Sequence, residues 1–188
     1  MLCELLKIVA FDPEAAFEVV RHLREDYPDS YQFSVTNEHN DDDLFSSVGR
    51  IDSGRITRFT KLHSGFKNTV IQQIVDTYPE YYRWRLLTID HRNTYSVHRD
   101  GVSESYTNTR IHAPIVSNDE SYMMFYEHAM EKAQGNEPYA GQQRIKYYQM
   151  TPGNLYRVDT TNYHSAVNYH GSLERLHLVG EKYDEVNK

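Results

Sequence analysis

Two stretches near the start of the chain carry apolar residues at helical spacing. In the first, Phe17, Val20 and Leu23 form one stripe, Asp12 stands ahead of it as a natural N-cap and Pro13 suits the first helical position. A helix is therefore predicted from there to about Tyr27. In the second, Val70, Ile71, Ile74 and Val75 face inward over 68–78, and Pro79 ends the element. The polar run over 37–43 between them reads as an exposed loop, its acidic residues Asp41 to Asp43 solvated. After Pro79 the texture changes to short β-prone runs separated by turn residues. Strands are predicted over 82–89, 94–98, 109–116, 143–150, 155–159, 163–168 and 173–179, with turns at Pro152-Gly153 and His170-Gly171.

This order predicts a mainly β fold, a double-stranded β-helix (jelly-roll, cupin-like) with buttressing N-terminal helices. The length of 188 residues fits one domain, with 1–80 as helical support and a possible substrate-binding region and 81–180 as the jelly-roll core. Sixteen Tyr, seven Phe and one Trp suit half-buried pleated surfaces and strengthen the β assignment. A net charge of -7 argues against nucleic acid or anionic lipid as a partner and favours a small molecule or a protein. Cys3 is the one cysteine, so nothing asks for an oxidising compartment. The apolar start over 1–11 is interrupted by Glu4 and lacks a basic lead, no apolar run spans a bilayer, and a cytoplasmic location without membrane contact is expected.

The candidate chemistry begins at His98-Arg99-Asp100. If the segment is extended, its period of two puts the imidazole and the carboxylate on one face and Arg99 on the other. His164, at the start of another predicted strand, supplies a third ligand. Two His and one carboxylate leave metal positions open, the arrangement associated with oxygen-using non-haem Fe(II) enzymes. If 169–172 form a hairpin loop, Asn168 pairs with Leu173, Ala166 with Arg175 and His164 with His177. That register would make Arg175 a diagonal neighbour of His164, with Cβ atoms about 7–8 Å apart. A guanidinium there could grip a carboxylate whose other end is on the metal, a gap that 2-oxoglutarate spans. Arg110 and His112 repeat the i, i+2 spacing with Ile111 opposite, and several inward cations around one site imply an anionic ligand.

His98-Arg-Asp100, Arg110-Ile-His-Ala-Pro-Ile-Val-Ser-Asn118, Pro152-Gly-Asn-Leu-Tyr-Arg-Val-Asp159, His164-Ser-Ala-Val-Asn168 and Arg175-Leu-His177 together resemble the aspartyl/asparaginyl β-hydroxylase family of 2-oxoglutarate oxygenases, and are similar also to bacterial proline cis-4-hydroxylases. The resemblance spans roughly 84–179. It implies His98, Asp100 and His164 as ligands of Fe(II), and Arg175 on the distal carboxylate of 2-oxoglutarate, with Arg110 and His112 serving cosubstrate or substrate. It also implies consumption of O₂ and 2-oxoglutarate to give succinate, CO₂ and a hydroxylated amino acid or aspartyl, asparaginyl or prolyl residue. Some members of that family lack the carboxylate ligand; this chain has Asp100.

Plainer readings stand beside this one. A lone His-x-Asp is usually a surface or hydrogen-bonded pair, and the ordered set with His164 and Arg175 is what raises it above that. His177 is expected to pack or to support a ligand rather than to bind metal. His22, His39, His63, His91, His128 and His170 are expected to face solvent or bond locally. Asn118 and Asn168 either orient substrate or hold turns. Arg50, Arg55, Arg58 and Lys61 could close over the metal mouth, although a solvated basic stretch is the simpler reading. Two other classes of function fit the inward charges: a non-catalytic jelly-roll module binding an anion, and a cupin-like metal-dependent hydrolase or isomerase.

Overall fold

The computed structural model describes residues 1–40, 42–49, 53–100, 106–126 and 144–185; Asp41, Arg50, His128 and Gln143 lie outside the described residues. The first helix, α1 (Pro13–Asp26), starts as expected, with the Asp12 carboxylate accepting from the Glu14 and Ala15 amides. It buries Ala16, Val20 and Leu23. After the short α2 (Ser53–Ile56), α3 (Val70–Thr77) is trimmed by two residues at the start and one at the end relative to 68–78, and it buries Ile71 and Ile74. No helix among the described residues is long and apolar enough to cross a membrane.

Among the described residues twelve strands follow in chain order as β1 (Cys3–Lys7), β2 (Gln32–Ser34), β3 (Thr36–Asn37), β4 (Lys61–Leu62), β5 (Tyr82–Ile89), β6 (Asn93–Thr94), β7 (Tyr106–Val116), β8 (Ser121–Tyr126), β9 (Ile145–Tyr148), β10 (Leu155–Asp159), β11 (His164–Asn168) and β12 (Arg175–Glu185). A six-stranded antiparallel sheet runs β1-β10-β7-β12-β5-β2, and a four-stranded sheet runs β6-β11-β8-β9. Alternation along the large sheet sorts its side chains. Trp84, Leu86, Ile111, Ala113, Leu176 and Leu178 share one core with α1 and α3. Ile89, Tyr156 and Val158 turn the other way, onto Met123, Phe125 and Ala166 of the small sheet. The N-terminal helices thus buttress the outside of the large sheet, and the space between the sheets holds a group of buried polar residues.

Four expectations need correction. The predicted hairpin between 163–168 and 173–179 does not form, because β11 pairs with β6 and β8 while β12 pairs with β5 and β7. The segment between them crosses from one sheet to the other, tied by the Asn168 side-chain amide, which donates to the Leu173 carbonyl at 2.7 Å and to the Ile89 and Asp90 carbonyls at 3.2 Å. The strand expected over 94–98 ends at Thr94, and His98 keeps only an isolated bridge to His164. The first 80 residues are less helical than expected: β1 and β2 form the two edges of the large sheet. Asn37, expected in the exposed loop over 37–43, is instead buried in β3, whereas Asp42 is exposed as expected and accepts from the Ser64 amide at 2.8 Å and hydroxyl at 2.5 Å.

Candidate metal centre and its cavity

His98 and His164 exchange backbone hydrogen bonds of 2.9 and 2.8 Å, which sets the two imidazoles side by side with ring centroids 4.5 Å apart. Each ring gives its Nδ1 proton to a carbonyl two residues earlier in the chain, His98 to Ser96 at 2.7 Å and His164 to Asn162 at 2.8 Å. A carbonyl can only accept, so in each neutral ring Nε2 keeps its lone pair. Both Nε2 atoms face Asp100, at 3.6 Å from Oδ1 for His98 and 3.7 Å from Oδ2 for His164. Asp100 is carried there by its amide, which donates to the Thr160 carbonyl at 2.9 Å, while Arg99 turns away and lies 5.3 Å over the Tyr163 ring.

The donor atoms of His98, Asp100 and His164 all lie within 4.8 Å of one another. Ligands about 2.1 Å from a shared transition metal stand about 3–3.5 Å apart, so small side-chain rotations close the group around an ion. Asp100 Oδ2 also has Arg110 Nη2 at 2.9 Å, an ion pair by distance but not aligned as a hydrogen bond, so this buried oxygen keeps a free acceptor direction. The donor set, the fixed tautomers and that acceptor all suit a divalent cation.

Two of the three candidate ligands, His98 and His164, line a cavity of about 180 Å³ between the sheets, and the third, Asp100, pairs with its lining residue Arg110. Arg85, Arg110, His112 and Arg175 line it from the large sheet, and Met123, His164 and Ala166 from the small one. Behind it lies an acid that the sequence reading missed. Glu181, fully buried, pairs with Arg83 at 3.2 Å, with Arg110 at 3.0 Å and, closer still, with Arg85. Burial alone would raise its carboxyl, but Arg110, Arg85 and Arg83 outweigh that and hold it down at about 2. Burial works against Arg110 too, yet Glu181 and Asp100 together raise it, whereas at Arg85 burial, joined by the neighbouring Arg83 and Arg110 guanidiniums, outweighs the same two acids and brings it down to about 10.

Arg175 differs from these. It is 3% exposed, and among the described residues no carboxylate pairs with it. Its Nη2 donates to His177 Nδ1 at 3.2 Å, and burial draws its pKa down to about 10, which leaves it a cation at neutral pH. A buried guanidinium without a counter-charge is costly, and it faces a cavity. The expectation that inward cations require an anionic ligand points first to Arg175, because Arg83, Arg85 and Arg110 each pair directly with Glu181 while no described carboxylate pairs with Arg175.

No family model matches the chain, and no curated protein matches it. Among solved structures, AviO1 from Streptomyces viridochromogenes Tue57 superposes on 96% of this chain and 86% of its own, with a TM-score of 0.54 at 11% identity. The fold is a double-stranded β-helix. A Pseudomonas putida prolyl-4-hydroxylase matches 93% of this chain and 89% of its own with a TM-score of 0.49 at 10% identity. The non-haem alpha-ketoglutarate-dependent epimerase SnoN of nogalamycin biosynthesis matches 55% of this chain at 13% identity with a TM-score of 0.41, and this chain spans 46% of its length.

All the residues singled out in the sequence, His98, Asp100, His164, Arg110, His112 and Arg175, meet around this cavity, the Asp100 carboxylate through its contacts with the other ligands. Asn118 and Asn168 do not join them: they bond to each other at 3.0 Å, and Asn168 is wholly taken up in tying the sheets. Arg55 and Arg58 pair with Glu38 at the surface rather than covering the cavity. His63 and His170 bond locally, as expected.

Proposed function

We propose that the chain is a Fe(II)- and 2-oxoglutarate-dependent dioxygenase that hydroxylates an amino acid, or an aspartyl, asparaginyl or prolyl residue of a peptide, with 1–188 acting as one oxygenase domain. One observation carries this reading: three donor atoms suited to a metal converge beside a cavity whose wall buries a guanidinium that pairs with no described carboxylate. His98 Nε2, Asp100 and His164 Nε2 would hold Fe(II), and Arg175 would take the distal carboxylate of 2-oxoglutarate. Bound Fe(II) supplies the activation of O₂, with 2-oxoglutarate oxidised to succinate and CO₂ and one oxygen atom passed to a substrate C–H bond.

The chain's own part is placement. Ser96 and Asn162 hold the two imidazoles with Nε2 unprotonated, and Glu181 keeps Arg110 beside Asp100. Leu87, Met123 and Ala166 add apolar surface to the cavity that Arg175 and the two histidines line.

The test is direct. Purified without oxygen and loaded with Fe(II), the protein should bind 2-oxoglutarate and, on admitting O₂, form succinate. Arg175→Ala should abolish this, and Arg175→Lys should restore part of the binding, since a point charge replaces a fork. If the protein binds neither metal nor 2-oxoglutarate, the reading is wrong.

A further inference from the structure

Behind the cavity, Arg175, His177 and His112 form a chain of contacts whose proton positions follow from the first of them. Arg175 Nη2 lies 3.2 Å from His177 Nδ1, and a guanidinium can only donate. His177 Nδ1 is therefore unprotonated, and its remaining proton sits on Nε2. The same Nδ1 lies 3.3 Å from His112 Nδ1, and with one end obliged to accept, His112 Nδ1 must donate. In a neutral His112 the proton is thus on Nδ1, and Nε2 is a bare lone pair.

That Nε2 is buried and has no partner among the described residues, although His112 lines the cavity. It stands outside the group of metal-type ligands formed by His98, Asp100 and His164. A buried acceptor left unmet is costly, so a ligand group is the natural partner. 2-Oxoglutarate offers only acceptors and would be repelled there. Resting on the function proposed above, we infer that His112 Nε2 accepts a hydrogen bond from an uncharged N–H or O–H donor of the substrate, and so selects an amide or hydroxyl over a free ammonium.

The absence of charge on that donor follows from its surroundings. Four guanidiniums, Arg83, Arg85, Arg110 and Arg175, gather between the sheets with two carboxylates, Glu181 and Asp100, among the described residues. A metal and a dianionic cosubstrate would leave that excess of positive charge unchanged. An ammonium is disfavoured in such a field, and an amide N–H is not. Burial, with Arg175 and Arg110 next in effect, also keeps His112 itself neutral, since its pKa is well below the ordinary imidazole value.

Two measurements on the full chain test this. Long-range ¹H–¹⁵N spectra of the Zn(II)-loaded protein, with His112 and His177 assigned from single variants, should show His112 protonated at Nδ1 and His177 at Nε2. A proton on His112 Nε2 would overturn the inference. With 2-oxoglutarate added, calorimetric titration should show N-acetyl-L-aspartate, which carries an amide N–H, binding more tightly than L-aspartate, whose N–H donors are all on its ammonium. His112→Phe should weaken the acetylated probe by about tenfold, the loss expected for one unmet buried hydrogen bond, with 2-oxoglutarate affinity within about twofold. Tighter or equal binding of L-aspartate, or no binding of the acetylated form, overturns the donor assignment. Failure of 2-oxoglutarate itself to bind would instead sink the proposed function and leave the tautomers as they are.

Discussion

Arg110 Nη2 stands 2.9 Å from Asp100 Oδ2, and the same nitrogen stands 3.0 Å from Glu181 Oε1. One guanidinium therefore joins a candidate metal ligand to a fully buried acid on the neighbouring strand. Arg110→Met leaves both carboxylates without it. Removing one partner of a buried ion pair costs about 3–5 kcal/mol, and groups that support metal ligands are worth about 10–100-fold in metal affinity. Urea denaturation and Mn(II) titration of Arg110→Met should show both losses. Unchanged Mn(II) affinity at reduced stability would make Arg110 a packing residue only.

Glu181 gives the fold an acid-sensitive element. Its carboxyl is held at about 2 against an ordinary 4.5. Because the folded pKa is depressed, the stabilisation is fully present above 4.5 and is lost as pH falls toward 2. The free energy at stake across that window is about 3 kcal/mol, the difference between the folded and unfolded proton affinities of one carboxyl. Glu181→Gln should lower stability at neutral pH and flatten its dependence on pH across that range, measured by chemical denaturation at several pH values. An equally steep acid limb in the variant would assign the sensitivity to other groups.

Much of this was readable in the sequence because alternation is local. Residues two apart on a strand share a face whatever the strand pairs with, so Arg110 and His112 on β7 point together without knowledge of the sheet, whereas His98 and Asp100 meet outside any strand, placed by the His98 bridge to His164 and the Asp100 amide on the Thr160 carbonyl. The same rule would have found Glu181, had the strand starting near Leu173 been carried past Val179, and it applies as well to Arg83 and Arg85 within the strand predicted over 82–89. Strand pairing is not local, and there the reading failed. β11 and β12 look like a hairpin in sequence but belong to opposing sheets, and Arg175 reaches the cavity across the sandwich instead of along a ladder. β8 escaped notice because Met123, Met124 and Phe125 are all buried and show little of the apolar-polar alternation that marks a half-exposed strand.

His112 and His177 add a second acid-sensitive window at milder pH. Burial comes first and the Arg175 cation second in lowering both well below 6.5. An unfolded chain takes up protons on these rings below 6.5 while the folded one does not, so stability falls as pH drops below that value. Each ring contributes a slope approaching about 1.4 kcal/mol per pH unit. His177→Asn should remove one ring's share of that slope between neutrality and the Glu181 window. An unchanged slope would mean that His177 is protonated in the folded state and that its contact with Arg175 is not a hydrogen bond.

Gly180 is the close approach that lets this arrangement form. It sits on β12 between Val179 and Glu181, and a Cβ there would lie 2.6 Å from the Trp84 ring. Trp84 is 1% exposed and held by its indole N–H donating to the Tyr81 carbonyl at 3.1 Å, so it has little room to retreat. β12 and β5 also shift register between Val179 and Glu181, which brings Glu181 opposite Tyr82, and Arg83 beside it takes a φ of 48°. Gly180→Ala must therefore push Trp84 outward or move β12, at a cost of about 1–3 kcal/mol. If β12 moves, the displacement reaches Glu181 on the opposite face and with it the Arg110 bridge to Asp100. The variant should consequently lose Mn(II) affinity as well as stability, whereas Trp84→Phe with Gly180→Ala, which makes room behind the strand, should recover both. Stability lost with Mn(II) affinity intact would show that Trp84 alone absorbs the strain.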